Sequence, residues 1–251
     1  MTRPAAIVIG IGPGLGQALV RAFANAGFSV AFVGRRRDAV LAHERDMRAE
    51  GLDVAGFVGD AGKPEIMDRV YGAIADRFGR AEVLIYNAAI IEPARFVTPS
   101  GLAQAQYGDA AGWDARGATA DPAYLVDTFR TNVAGAHHAA SRVAPDMIAQ
   151  GKGSILLTGG VLAFEPWIEW GVTSLGKAAL RSMGHSLFKE LQPHGVQATT
   201  IAIHGTMQAG TPYDHDDIAR AYLDLHLRPQ EEWTPDYHFK KGAQDDGDPD
   251  A

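Results

Sequence analysis

Short apolar runs alternate with helical patterns along most of this chain, and that alternation limits the fold more than any other feature. "AAIVIG" (5–10), "FSVAFVG" (28–34), "LDVAGFVGD" (52–60), "AEVLIYNAA" (81–89), "GSILLTG" (153–159) and "GVQATTIAI" (195–203) read as six strands. Several are apolar almost throughout rather than at every second residue, the signature of strands covered on both faces. Helical patterns follow the glycine turn to about Ala26 and cover Arg37–Glu50, Pro64–Phe78 and Thr173–Leu191. Asp121 before Pro122 supplies an N-cap acceptor and a first-turn proline. They open a helix predicted to run to Gln150, bent at Pro145. "DDIARAYLDLHL" (216–227) is a further helix, with Ile218, Tyr222 and Leu225 near one face. "EEWTPDYHF" (231–239) reads as a last edge strand. Strands joined by helices imply right-handed crossovers and a mainly parallel sheet with helices on both faces, a doubly wound α/β domain. The 251 residues suit one such unit, and the 46% apolar content is enough for its core. We place the domain at 1–241, with an insertion at about 98–121. The acidic "GAQDDGDPDA" (242–251) is predicted to be a disordered tail.

After the first strand comes "GIGPGLG" (10–16). The dinucleotide fingerprint Gly-x-Gly-x-x-Gly fails, because Leu15 and Gln17 stand where it needs glycine. Gly-x-x-x-Gly-x-Gly fits, through Gly10, Gly14 and Gly16, with Leu15 between the last two. Glycines there permit a tight turn and close approach of backbone to phosphate, and the helix start presents N–H groups and a positive dipole end to a pyrophosphate. A ligand-free strand-to-helix turn is the alternative. A Rossmann-type sheet makes nucleotide binding the stronger reading. At the end of the second strand, "VGRRRD" holds Gly34, Arg35 and Arg36 where NAD-binding folds place an acid for the ribose hydroxyls. Guanidinium groups match phosphate bidentately. The pair therefore predicts NADP(H) over NAD(H), against the alternative of a solvated basic helix start.

Composition removes several function classes. A net charge of −7 gives no nucleic-acid footprint. The absence of cysteine excludes disulfides, thiolate nucleophiles and thiolate metal sites. No cluster has the spacing of a metal site. No apolar run approaches the roughly 20 residues of a membrane span, and the N-terminus lacks a signal-peptide pattern. A cytoplasmic protein without membrane or nucleic-acid partners is expected.

Over roughly residues 5–210 the chain resembles the short-chain dehydrogenase/reductase family. Gly10, Gly14 and Gly16 match its glycine motif, and Asp60 matches the residue that contacts the adenine ring. "YNAA" (86–89), with Asn87 and Ala88, resembles its Asn-Asn-Ala-Gly motif. Asn132 in "TNVAG" and Lys177 in "GKAAL" match the asparagine and lysine of its active site. Gly205 keeps the glycine of its Pro-Gly turn, with His204 in the proline's place. The resemblance implies a nicotinamide cofactor and a small carbonyl or alcohol substrate. It also implies a homodimer or homotetramer built on helices 122–150 and 173–191.

Two departures bear on the chemistry. Four residues before Lys177, where the family has tyrosine, stands Thr173. About thirteen residues before that, where it has serine, stands Gly160, with Thr158 the nearest hydroxyl. The alternative tyrosine position seven residues before the lysine is Trp170. In the family the tyrosine exchanges a proton with the substrate oxygen. The lysine lowers the tyrosine's pKa and grips the nicotinamide ribose, the asparagine holds a water, and the serine orients the carbonyl. A phenol has a pKa near 10, and a threonine hydroxyl is a far weaker acid. A positioned acid is worth about 10²–10⁴-fold. Three readings stay open: an oxidoreductase with a relocated acid, a non-redox lyase or isomerase on the same fold, and a non-catalytic nucleotide binder.

The candidates for a relocated acid are Glu165 and Glu169, His204 and Tyr213. Glu165 and Glu169 also read as a solvated helix face, and His204 as a structural histidine. Trp167 and Trp170 offer an aromatic or apolar pocket, or plain packing. His137, His138 and His185 read as packing or subunit contacts. From Asn87 to Asn132 the chain is about twice the family's usual length. Tyr107 and Trp113 in that insertion favour a lid or a subunit contact.

Overall fold

The computed structural model describes residues 3–98 and 119–241. Seven strands form one sheet in the order β3-β2-β1-β4-β5-β6-β7. They are β1 (Ala5–Ile9), β2 (Ser29–Gly34), β3 (Val54–Val58), β4 (Ala81–Tyr86), β5 (Gly153–Thr158), β6 (Val196–Ile203) and β7 (Asp236–Phe239). Every neighbouring pair is parallel. The six strands expected from sequence are present, and the expected edge strand is β7, in register with β6 through Ala202–His238 and Ile203–Phe239.

The continuous apolar runs have a direct cause. In β1, Ala6 and Val8 enter one core while Ile7 and Ile9 enter the other. The first core lies under α1 (Leu15–Asn25), α2 (Arg37–Ala49) and α7 (His215–Leu227), with Phe23, Met47 and Tyr222 among its buried side chains. The second lies under α3 (Pro64–Phe78), α5 (Gly135–Gln150) and α6 (Gly171–Leu191), with Ile74, Met147 and Leu180. Each large apolar side chain so buried stabilises the fold by about 1.5–3 kcal/mol before entropy is counted.

The predicted helix 122–150 is three pieces. α4 (Pro122–Phe129) starts at Asp121, whose carboxylate accepts from the Tyr124 amide at 2.8 Å as a helix cap. A π-helical turn follows at Arg130–Ala134, and then α5. The ladder therefore changes at 130–134 rather than at Pro145, which lies inside α5. The buried Tyr86 phenol donates to the Thr131 carbonyl. An outside donor on a helical carbonyl favours a wider turn, and such turns recur at functional sites.

Because β1 connects outward to β2 and β3 while β4 lies on its other side, the strand order reverses between β1 and β4. In open α/β sheets that point leaves a ligand crevice beyond the carboxyl ends. Most of the predicted insertion, and the whole acidic tail, lie outside the described residues.

Candidate active site

A cavity of about 780 Å³ occupies that crevice. Cofactor and ligand sites commonly measure about 300–1,000 Å³. Its floor is the crossing of two strand ends. Gly10 has φ +103°, and a Cβ there would lie 2.5 Å from the Ala88 amide nitrogen. The Asn87 side chain donates to the Gly10 carbonyl at 2.9 Å, and its amide donates to Ile9 at 2.8 Å. Asn87 thus fixes the floor, leaving Ala88 on the wall. Gly16 is needed for contact in the same place, since its Cβ would lie 2.7 Å from the Gly10 carbonyl oxygen. The start of α1, Gly14–Leu15–Gly16, lines the cavity, and no side chain caps that helix start. The His215 ring packs where a Gly14 side chain would stand.

Arg35 is exposed and lines the far end, past Val33 and Gly34. Arg36 is the N-cap residue of α2, exposed and off the cavity wall. Neither has a carboxylate partner among the described residues. Asp60 also stands off the wall. Its carboxylate accepts from the Gly62 amide at 3.0 Å, bracing the turn whose neighbours Gly59 and Ala61 do line it.

At the opposite end α6 brings Thr173 and Lys177 onto the wall one turn apart. Thr173 is buried. The Lys177 ammonium donates to the Thr158 carbonyl at 2.6 Å. Burial without a facing carboxylate among the described residues lowers its pKa to about 8. Thr158 closes β5, and its hydroxyl accepts from the Tyr222 phenol at 2.8 Å. That phenol lies in the α1–α7 core, where burial pushes its pKa well up, so it is a fixed donor rather than an acid. Gly160 has open space where a Cβ would stand.

Asn132 sits in the π-helical turn, buried, and holds the chain leaving β4 from both sides. Its Oδ1 accepts from the Ile90 amide at 2.7 Å and its Nδ2 donates to the Ile90 carbonyl at 2.9 Å. Its side chain is committed to backbone and stands off the cavity wall.

The candidates for a relocated acid separate clearly. Glu169 is buried, not solvated. It pairs with Arg95, while its backbone carbonyl accepts from Ala94 at 2.8 Å, tying the β4 exit to the segment before α6. Tyr213 is off the wall, with its ring packed on Gly205, which explains the glycine there. Glu165 is exposed. His204 does line the cavity, beside Gly205, and its Nε2 is 2.7 Å from His238 Nδ1. Leu162, Trp167, Trp170 and Met207 make this end largely apolar. His138 and His185 stand off the wall and make polar contacts rather than plain packing, His138 Nε2 with Asp68 at 3.1 Å and His185 Nε2 with Asp236 at 2.7 Å. His137 is exposed on α5. The ionisable side chains on the wall are therefore Arg35, Lys177 and His204, with no carboxylate and no phenol among the described residues.

The sequence profile of short chain dehydrogenases matches residues 4–215. The chain belongs to that family. It is 27% identical over 202 residues to a short-chain dehydrogenase/reductase of Hericium erinaceus, covering 78% of this chain and 72% of that one. It is 26% identical to dehydrogenase/reductase SDR family member 4 of Sus scrofa, over 78% of this chain and 63% of that protein's length. Among solved structures, a metagenomic short-chain oxidoreductase in complex with NADP superposes with TM-score 0.78 at 21% identity, covering 94% and 96% of the two chains. L-sorbose reductase of Gluconobacter frateurii, complexed with NADPH and L-sorbose, gives 0.79 at 18% identity, covering 94% and 95%. At these identities the structures establish a shared fold. The doubly wound parallel sheet expected from sequence is the family's.

Proposed function

We propose that this short chain dehydrogenase is an NADP(H)-preferring oxidoreductase acting on a small carbonyl or alcohol substrate, with Thr173 in place of the usual phenol. The observation that carries the reading is a wall free of carboxylates among the described residues, with Arg35 at one end and Lys177 at the other, in a chain of net charge −7. Such a wall suits a polyanion that is longer than one phosphate. The Leu15 and Gly16 amides at the start of α1, with the floor fixed by Gly10, Asn87 and Ala88, take the pyrophosphate. Arg35 and Arg36 take a 2′-phosphate. Asp60 braces the adenine end through its turn. Lys177 holds the nicotinamide ribose, and Gly205 lets the strap after β6 lie close. When bound, the nicotinamide supplies or accepts hydride. Asn132 acts by clamping Ile90, and the apolar end around Trp167 and Trp170 takes the substrate.

We place one domain at 1–241 and an assembly of two or four copies. Val126 on α4, Ile148 on α5 and Leu175 on α6 stay exposed on the helices expected to meet. Calorimetry tests the cofactor reading. NADPH binds at least tenfold more tightly than NADH, about 1.4 kcal/mol. Arg35→Ala with Arg36→Ala removes the difference. Equal affinities in the unmutated protein overturn the preference, and binding of neither nucleotide overturns the function.

A further inference from the structure

Among the described residues the wall carries no phenol, yet carbonyl reduction needs a proton at the nascent alkoxide. We infer that His204 is the catalytic proton donor of this protein and that His238 recharges it from solvent. The inference rests on the proposed oxidoreductase function. His204 is the imidazole on the cavity wall, at the carboxyl end of β6 and at the same end as Thr173, Trp167 and Trp170. Its backbone amide continues the β6–β7 ladder to the Phe239 carbonyl at 3.2 Å, which fixes the residue next to β7. The same register puts His238 beside it, Nε2 to Nδ1 at 2.7 Å, with ring centroids 4.9 Å apart. A bond between two imidazole nitrogens carries one proton, so one ring donates and the other accepts. Phe164 packs on His238 at 4.8 Å, and the Arg181 guanidinium stacks on the other partner of that contact, 4.3 Å from the Phe164 ring. The pair is held from the loop after β5 and from α6. His204 is part-buried at the cavity, while His238 is exposed to solvent, so the two nitrogens join the substrate end to bulk water.

The step balances. Hydride arrives at the carbonyl carbon, the C=O π pair moves to oxygen, and the protonated His204 ring releases its proton to that oxygen. His204, now neutral, keeps a proton on Nε2, the nitrogen that faces His238 at 2.7 Å. Its ring turns to bring the bare nitrogen to His238, which has taken a proton from water and passes its Nδ1 proton across while keeping the one on Nε2. In the oxidative direction the same groups carry the proton outward.

The charged groups facing the pair set the pH dependence. Burial holds the His204 pKa below that of an ordinary imidazole; His238 and Lys240 on the β7 side lower it further, and Glu165 in the loop after β5 opposes them. Arg181 reaches the pair only through Phe164. Reduction uses the protonated ring, so the rate falls as pH rises through this depressed value. If Lys177 were the donor instead, the fall would come at about 8.

The test uses the full chain, with phenanthrenequinone and acetophenone as probes. His204→Gln is expected to lower kcat for NADPH oxidation by about 10²-fold or more while leaving the NADPH Kd unchanged. His238→Asn removes a neighbour that depresses the His204 pKa, so the alkaline limb moves upward. Nitrogen-edited histidine NMR of the cofactor-free protein supplies a readout independent of turnover: His204 and His238 titrate as one coupled pair, and His238→Asn uncouples them. Full kcat in His204→Gln, a limb at about 8 lost with Lys177→Met, or two independent titrations would each overturn this inference and leave the oxidoreductase reading standing. NADPH bound but oxidised by neither probe overturns that reading, and the donor role with it.

Discussion

Replacing Lys177 with methionine keeps the aliphatic stem and deletes the charge. An ammonium that loses its proton at about 8 in the folded protein, against an ordinary 10.5, is disfavoured there. At 1.36 kcal/mol per pH unit this amounts to roughly 3 kcal/mol at most. Because the cavity admits water, that is an upper figure. The sign follows from proton counts. Between about pH 8 and 10.5 the unfolded chain holds the proton that the folded protein has released, so stability rises with pH across that window and the unfavourable contribution is fully present below it. Lys177→Met also gives up the bond to the Thr158 carbonyl, a loss of about 1 kcal/mol at any pH. The variant is therefore expected to be more stable than the parent by about 2 kcal/mol near pH 7, with the gap closing near pH 10. Urea unfolding followed by tryptophan fluorescence at the two pH values measures it. Groups elsewhere, including the Tyr71 and Tyr86 phenols whose pKa values burial raises, titrate alike in both proteins and cancel. A variant less stable near pH 7, or a gap identical at both values, would refute the reasoning.

Three further outcomes are expected. Gly10→Ala combines a φ of +103° with a Cβ 2.5 Å from backbone. Strain and overpacking together cost about 2–6 kcal/mol, whereas Gly12→Ala, with nothing within 4 Å, leaves the urea midpoint nearly unchanged. In a His204→Gln background, Thr173→Tyr with Gly160→Ser, the latter into open space, recovers ketone reduction by NADPH by up to about 10²–10⁴-fold; no recovery, with NADPH still bound, shows that a phenol at 173 cannot serve this substrate end. Leu175→Arg places a charge at an exposed apolar position of α6 and is expected to shift the light-scattering mass of the assembly to that of a monomer.

The fold was legible because its signals are local. Ile7 and Val8 are adjacent and enter opposite cores, so a parallel strand shows itself as an unbroken apolar run. The glycines at 10, 14 and 16 mark where backbone meets backbone. Two of the errors concern pairs far apart in the chain. Tyr86 and Thr131 are 45 residues apart, and no periodicity announces that their bond lies at a π-helical turn. Glu165 and Glu169 share a spacing that fits a solvated face, but Arg95, 74 residues from Glu169, draws that carboxylate inside. Asn132 and Lys177 are recognisable by motif, yet only the fold shows that one clamps Ile90 and the other meets a carbonyl.

His238 is the clearest case of a residue hidden by its segment. "EEWTPDYHF" looks like an edge strand and nothing more, and its histidine acquires meaning only from the register of β7 on β6. A slip of one residue would turn the His238 side chain to the opposite face of the sheet and leave His204 alone on the cavity wall. The contacts that hold the register also hold the pair. The Asp236 carboxylate accepts from Arg181 Nε at 2.8 Å and lies 2.7 Å from His185 Nε2, both on α6. His238, two residues on, therefore projects from the same face as Asp236. α6, which positions Thr173 and Lys177, thus also sets where the two imidazoles stand. A change at the first turn of that helix and a change at the sheet edge act on one site through a single rigid element.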